Sequence, residues 1–156
     1  MANQNKSLPR LFGGILTSLF IEGWAFYCEE MMEQQGFISA PTQRLGRLQA
    51  QLWRAARIIV DVSLHTGKMD YAAAVQFMTE KANLEPADAK VEVNRYTQTP
   101  TQPMSYLMGK YEILQIVDAY RARYPDHSLK QMHDALLSCG SLPPRLMRRR
   151  LFSDNG

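Results

Sequence analysis

The sequence predicts an all-α protein of about six to seven helices, and three observations lead there. Helix-starting and helix-stopping residues recur along the whole chain, while the strict alternation that marks strands is weak everywhere. The composition, 46% hydrophobic and 21% charged, is that of a folding globular chain rather than a disordered one. At 156 residues the chain is long enough to bury a core as a single helical domain, 1–156, with no internal repeat, low-complexity tract or linker to divide it.

Ser7 with Pro9 opens a long first helix that runs to about Gln35, where Gly36 closes it. A second opens after Ala40 and Pro41 and reaches about His65 before Gly67 stops it. Asp70 caps a short, Ala-rich third helix ending near Ala82, and Pro86 suits the first turn of a fourth that reaches Tyr96. Thr97 to Pro103 is a loop, because two prolines and β-branched residues break helix there. A fifth helix spans about Met104 to Tyr124 and ends at Pro125. Asp126 or Ser128 caps a sixth that stops at Gly140, and Pro143 with Pro144 starts a last, short, basic one.

Charge and cysteine usage exclude several classes of function. The net charge of +3 is modest, and its visible cluster is Arg145, Arg148, Arg149 and Arg150. A nucleic-acid groove needs a broader basic field, so the expectation is a solvated, helix-ending cluster and no nucleic-acid partner. Cys28 and Cys139 make neither a disulfide framework nor a metal-spaced array. Leu11 to Cys28, with Lys6 and Arg10 ahead of it, imitates a signal peptide or membrane anchor. Thr17, Ser18, the glycines and Glu22 interrupt that stretch, and no small-x-small cleavage site follows. A buried helix, no membrane partner and a cytoplasmic location are therefore expected.

Helical spacing aligns three rows of polar residues. On the first helix Glu22, Phe26, Glu29 and Glu33 share one stripe, with Ile15 on it and Leu16, Phe20, Trp24 and Met31 on the far side. A helix apolar nearly all round is usually buried, so its carboxylates should line a cleft or meet a cation; a solvated face is the plainer alternative. On the second helix Arg54, Arg57, Asp61 and His65 lie opposite the apolar row Leu48, Leu52, Ala55, Ile59 and Val62. The plain reading is a surface ladder with Arg57–Asp61 and Asp61–His65 pairs. The other is the polar wall of a cleft, with Asp61 fixing the tautomer of His65. The third row brackets the loop: Glu92, Arg95 and Tyr96 before it, Gln102, Ser105, Tyr106 and Gly109 after it. Loops held by rigid helices often present binding groups, though these also suit ordinary loop-flanking positions. Tyr111, Tyr120 and Tyr124 read as core or rim.

Glu22-Gly23-Trp24-Ala25-Phe26-Tyr27-Cys28-Glu29 resembles the E-G-W-A-x-Y-x-E signature of a bacterial family catalogued as domain of unknown function 885. Further blocks are similar to that family in the same order: Leu52 to Arg57, Val60 to His65, Glu92 to Tyr96, Pro103 to Gly109, and His133 to Leu137 with Gly140. The resemblance covers essentially the whole chain. It implies the C-terminal part of a zincin-like metallopeptidase of the gluzincin type, whose zinc is held by an H-E-x-x-P-G-H segment together with the glutamate that begins E-G-W-A.

By that resemblance Glu22 is a zinc ligand beside two imidazoles, with the fourth position left to water. Glu29 is its supporting partner, Tyr106 stabilises the oxyanion, His65, Arg95 and Tyr96 line the substrate cleft, and Arg57 with Asp61 forms a structural polar network. The three histidines, His65, His127 and His133, belong to no such zinc motif, and the resemblance implies that the chain starts just after it. The expectation is a fragment that binds no zinc stably and cleaves no peptide alone, completed by an N-terminal half or a homodimer partner, with a peptide as substrate of the intact enzyme. The alternative is a non-catalytic helical binding or interaction protein on the same scaffold.

Overall fold

The computed structural model describes residues 18–153, and those residues form seven helices and no strand. They are α1 (Ser18–Gln34), α2 (Pro41–His65), α3 (Tyr71–Ala82), α4 (Pro86–Gln98), α5 (Ser105–Arg123), α6 (Leu129–Ser138) and α7 (Pro144–Phe152). The expected opening of the first helix at Ser7 and Pro9 lies outside the described residues, as do Ile15, Leu16 and the first part, 11–17, of the apolar stretch that imitates an anchor. No helix among the described residues is long and apolar enough to cross a membrane.

Helix ends fall where local chemistry sets them. Pro41, Pro86 and Pro144 occupy first turns, where a missing N–H costs nothing. The Asp70 carboxylate accepts the Ala73 N–H at 2.8 Å at the start of α3. Of the two candidate caps for α6, Ser128 takes the role, in a capping box with Gln131. Gly36 and Gly67, at φ 79° and 69°, supply the left-handed residues after α1 and α2. The loop is shorter than expected, because α4 continues through Thr97 and Gln98.

The described residues fall into two compact units, one made of residues 18–27 and 108–153 and the other of Cys28–Leu107. Helices α1 and α5 each contribute to both. The first unit buries Phe20, Phe26, Ile113, Ile116, Met132, Leu136 and Met147. It also brings helix backbones together at Gly23 and Gly109. A Cβ on Gly23 would lie 2.3 Å from the Gly109 carbonyl carbon, and one on Gly109 2.0 Å from the Leu19 carbonyl oxygen.

In the second unit α2, α3 and α4 pack around Val60, Ala74, Met78, Ala82, Ala89, Val93 and Tyr96. Four of the residues in this cluster are alanines, which let the three helices approach closely. The surface-ladder reading of α2 is overturned here: Arg57 and Asp61 are buried, at 8% and 2% exposure. Leu48, Leu52, Ile59 and Val62, on the apolar row, are between 42% and 50% exposed. The pattern finds the two faces of α2 correctly, but α3 and α4 take the side that carries the charges.

Candidate functional site

The stripe on α1 meets cations, as the apolar surroundings of its carboxylates require. Glu29 Oε1 pairs with Arg54 Nη2 at 3.2 Å, and Glu33 is held by Arg47 and by Arg44 at 3.1 Å. Each arginine comes from α2, so the spacing that aligned the two rows becomes a set of cross-helix ion pairs.

From Arg54 the polar lattice of the second unit continues inward. Its guanidinium lies 5.8 Å from the Tyr106 ring centroid, and that of Arg57 lies 5.0 Å from the same ring and 4.4 Å from the Trp53 ring. Arg57 Nε donates to the Tyr96 hydroxyl at 2.9 Å, and Trp53 Nε1 donates to the same oxygen at 3.2 Å. The expected Arg57–Asp61 pair does not form. Arg57 turns instead to Glu92 on α4, 3.6 Å away, since the packing of α4 on α2 offers that carboxylate on the buried side.

Arg95 closes the lattice onto the loop. Its Nη2 donates to Glu92 at 2.8 Å and its Nη1 to the Gln102 side-chain carbonyl at 2.9 Å. The Gln102 amide reaches the Tyr106 hydroxyl at a long 3.5 Å, a contact in which that hydroxyl accepts and keeps its own proton to donate. Glu29, Arg57, Arg95, Tyr96 and Tyr106 thus belong to one connected network, joined by Trp53, Arg54, Glu92 and Gln102.

Asp61 and His65 do a separate job. The Asp61 carboxylate accepts the Thr101 N–H at 3.0 and 3.3 Å, and Thr101 sits in the left-handed region at φ 71°. A β-branched residue rarely adopts that conformation, so a buried carboxylate holds the loop in a shape it would otherwise leave. His65 Nδ1 lies 2.8 Å from the Asp61 main-chain carbonyl and 3.1 Å from its carboxylate, and two acceptors at that nitrogen place a proton on Nδ1.

Electrostatics set what the lattice can do. Burial pushes the Tyr96 phenol up to about 12, and Glu92 adds to that while Arg57 and Trp53 oppose it. Burial alone would raise Glu92, but hydrogen bonds from Arg95 and Tyr96 and the charges of Arg95 and Arg57 outweigh it and hold the carboxyl low. Tyr96 therefore stays protonated and Glu92 ionised at neutral pH. Neither is tuned for proton transfer, and both are tuned to hold geometry.

Glu22 belongs to the other unit, on the first half of α1, half-buried. Around it the E-G-W-A signature is explained by packing as much as by chemistry. Gly23 makes the close backbone contact, and the Trp24 ring lies 5.4 Å from the His133 ring and 5.5 Å from that of Tyr27. The Tyr27 hydroxyl and His133 Nε2 are 2.9 Å apart. Burial, with the nearby charge of Arg121, pulls His133 down against a weaker pull from Asp134, which favours the neutral ring beside the Tyr27 hydroxyl. Sequence reasoning reached Tyr27, Trp24 and His133 only as letters of motifs; their meeting has no local signal.

Residues 1–151 match the family described as "Bacterial protein of unknown function (DUF885)". The chain belongs to that family. Among solved structures, the family member is similar to the "putative lipoprotein from Colwellia psychrerythraea", with 33% identity and a TM-score of 0.80 over 85% of this chain and 23% of that one. It is similar also to a "putative lipoprotein of unknown function from Shewanella oneidensis", with 30% identity and a TM-score of 0.87 over 97% of this chain and 28% of that one. The chain spans about a quarter of the length of these two relatives. No curated protein matches it.

Zinc is the metal the sequence resemblance implies, and the donors of this chain do not fit it unaided. Among the described residues no three His, Cys, Asp or Glu side chains stand close enough together to hold a metal ion. A protein zinc centre takes three or four such ligands, and Glu22 offers one carboxylate.

Proposed function

We propose that this chain is the C-terminal part of a zinc-dependent peptidase, supplying one metal-binding carboxylate, Glu22, and a fixed polar wall for the substrate, and that it is inactive by itself. What carries the reading is the lattice in which buried Arg57 and Tyr96, with Glu92, hold Arg95 and Tyr106 in place as donors. A carbonyl oxygen that gains negative charge during peptide hydrolysis needs donors of that kind, already oriented. Tyr106, whose proton is uncommitted to Gln102, is the oxyanion donor; Arg95 and His65, both partly exposed, belong to the cleft that receives the peptide, while Tyr96, fully buried, holds Arg57 behind it, and Glu29 positions α1 through Arg54. Since the donor set of this chain is incomplete, no reaction step is assigned to it alone.

Two further observations support a partial site. The exposed row Leu48, Leu52, Ile59 and Val62 is an apolar face of the kind that larger proteins cover, and the solved relatives are about four times longer. The test is complementation. The chain is co-purified with the preceding region of a family member that carries H-E-x-x-P-G-H, and hydrolysis of a peptide library is followed with and without a chelator. Metal-dependent cleavage that Glu22→Ala abolishes is the expected result, with Tyr106→Phe lowering it about 10²-fold. Stoichiometric zinc retained after dialysis of the chain alone, with turnover, would sink the proposal.

One observation favours a second reading, a non-catalytic binding module. Tyr96 is set to keep its proton and Glu92 to stay ionised, so neither is set to move a proton. A complemented complex that binds peptides tightly and never cleaves them would favour this reading over the first.

A further inference from the structure

The outer face of α2 carries a second pattern that the core of its unit does not use. Leu45, Leu52 and Ile59 recur every seven residues, and Leu48, Ala55 and Val62 each follow three residues later, so apolar side chains stand at both seam positions of three successive heptads. Helices α3 and α4 pack on the other side, where Ala56, Arg57, Val60 and Asp61 are buried. The seam itself is open: Leu45 is 69% exposed, and Leu48, Leu52, Ile59 and Val62 lie between 42% and 50%. Solvation alone does not account for five large aliphatic side chains kept in register along about 26 Å of helix.

The period identifies the shape of what covers them. Apolar residues that serve a globular core spread over a broad stripe at 3.6 residues per turn, whereas a strict seven-residue repeat keeps contact with one helix lying alongside. Ala55, small and in the middle of the seam, leaves a recess into which such a helix can place a larger side chain. Gln49, Gln51, Ile58 and Ser63 flank the seam without a charge, so apolar fit rather than charge pairing selects the partner there. The length of the family supplies the occupant: about three quarters of each solved relative lies beyond the part that this chain matches.

We propose that the outer face of α2 seats one amphipathic helix from that remaining part of a longer family member, laid alongside as a two-stranded coiled-coil contact with leucine, isoleucine or valine at its own seam. The inference rests on the reading of this chain as one part of a larger architecture, and neither on zinc nor on hydrolysis. A second copy laid parallel would set Ala55 against Ala55 and leave the recess unfilled; one laid antiparallel is an outcome that the experiment reads.

The full chain is co-expressed with the remaining part of the Shewanella oneidensis relative, and binding is measured in EDTA. A one-to-one complex is expected, at least tenfold weaker in Leu52→Glu/Ile59→Glu, weakened in the same direction by Leu45→Glu, and within twofold in Val91→Glu, a change at a 68% exposed position of α4. In the chain alone Leu52→Cys should react with a thiol reagent as an open thiol does, above the background of Cys28 and Cys139, and at least tenfold more slowly in the complex. Melting curves of the chain alone check that each variant folds. A chimera in which this chain replaces the matching part of the relative carries the test in one polypeptide: Leu52→Glu/Ile59→Glu should lower its melting midpoint by at least about 5 °C more than that of the chain alone. The proposal is overturned if the chimera shows no such difference, if the complex ignores the seam changes, or if Leu52→Cys is already slow in the chain alone. It is overturned also if the chain alone sediments as a dimer that the seam variant dissolves, which assigns the face to a second copy. A complex that forms through the seam and cleaves nothing supports this inference and ends the peptidase reading; cleavage that the seam variant leaves intact does the reverse.

Discussion

In the unit of residues 18–27 and 108–153 helices meet through bare backbone at Gly23 and Gly109, whereas in Cys28–Leu107 they are joined by buried arginines, carboxylates and phenols. The first arrangement draws its specificity from shape, because no side chain fits between the backbones. The second draws it from hydrogen-bond satisfaction, because each buried charge must find a particular partner. The difference teaches where tolerance lies: the first unit should resist polar changes at its rim and fail on one added methyl, and the second should tolerate volume changes and fail on one lost oxygen.

The largest effect should come from Gly23→Ala. Its Cβ would meet the Gly109 backbone, which cannot swing aside as a side chain can, and a loss of about 3 kcal/mol is expected from the denaturation midpoint. A change under half of that would mean the helices part easily, and the comparison would lose its first term. Asp61→Ala comes next, at about 2–3 kcal/mol, since it strips the Thr101 N–H of its acceptor and frees a loop held at positive φ. Limited proteolysis should then cut between Thr99 and Pro103, and Asp61→Asn, which keeps one oxygen, should largely protect it. An uncut Asp61→Ala loop would show that the carboxylate is not what holds it.

Tyr96→Phe should cost about 1–2 kcal/mol, because it leaves the donors of Arg57 and Trp53 without their shared oxygen while changing volume little. The contrast sharpens if Tyr27→Phe in the first unit, where a partly exposed His133 can turn to water, costs less. The smallest effect is a pH dependence. The folded protein holds His133 below its ordinary value of 6.5, so the unfolded chain binds that proton more readily. The resulting stability is present above pH 6.5 and is lost as pH falls through the folded value. His133→Gln should flatten the midpoint-against-pH curve in that window, and an unchanged slope would assign the acid sensitivity elsewhere.

Much of the fold was legible because helix ends are local chemistry. Pro41, Asp70, Pro86, Ser128 and Pro144 act within one turn of themselves, and each stands where its pattern put it. The polar rows were legible as rows for the same reason. Their partners were not: Arg57 and Asp61 are correctly spaced for each other, yet Arg57 finds Glu92 and Tyr96 on α4, and Asp61 finds a main-chain N–H in the loop. Neither spacing nor family resemblance joined Glu29, Arg95 and Tyr106 into one network, since nothing in a single helix period links α1, α4 and α5.

The sequence by itself determined an all-helical chain, most of the helix ends among the described residues, its family and the set of polar side chains worth following. Tertiary structure alone decided that α2 turns its charges inward and its leucines outward, and that two glycines distant in the chain touch. Periodicity fixes the angle of each side chain about its own helix axis; which angle faces a neighbour depends on the other helices, whose placement no local rule encodes.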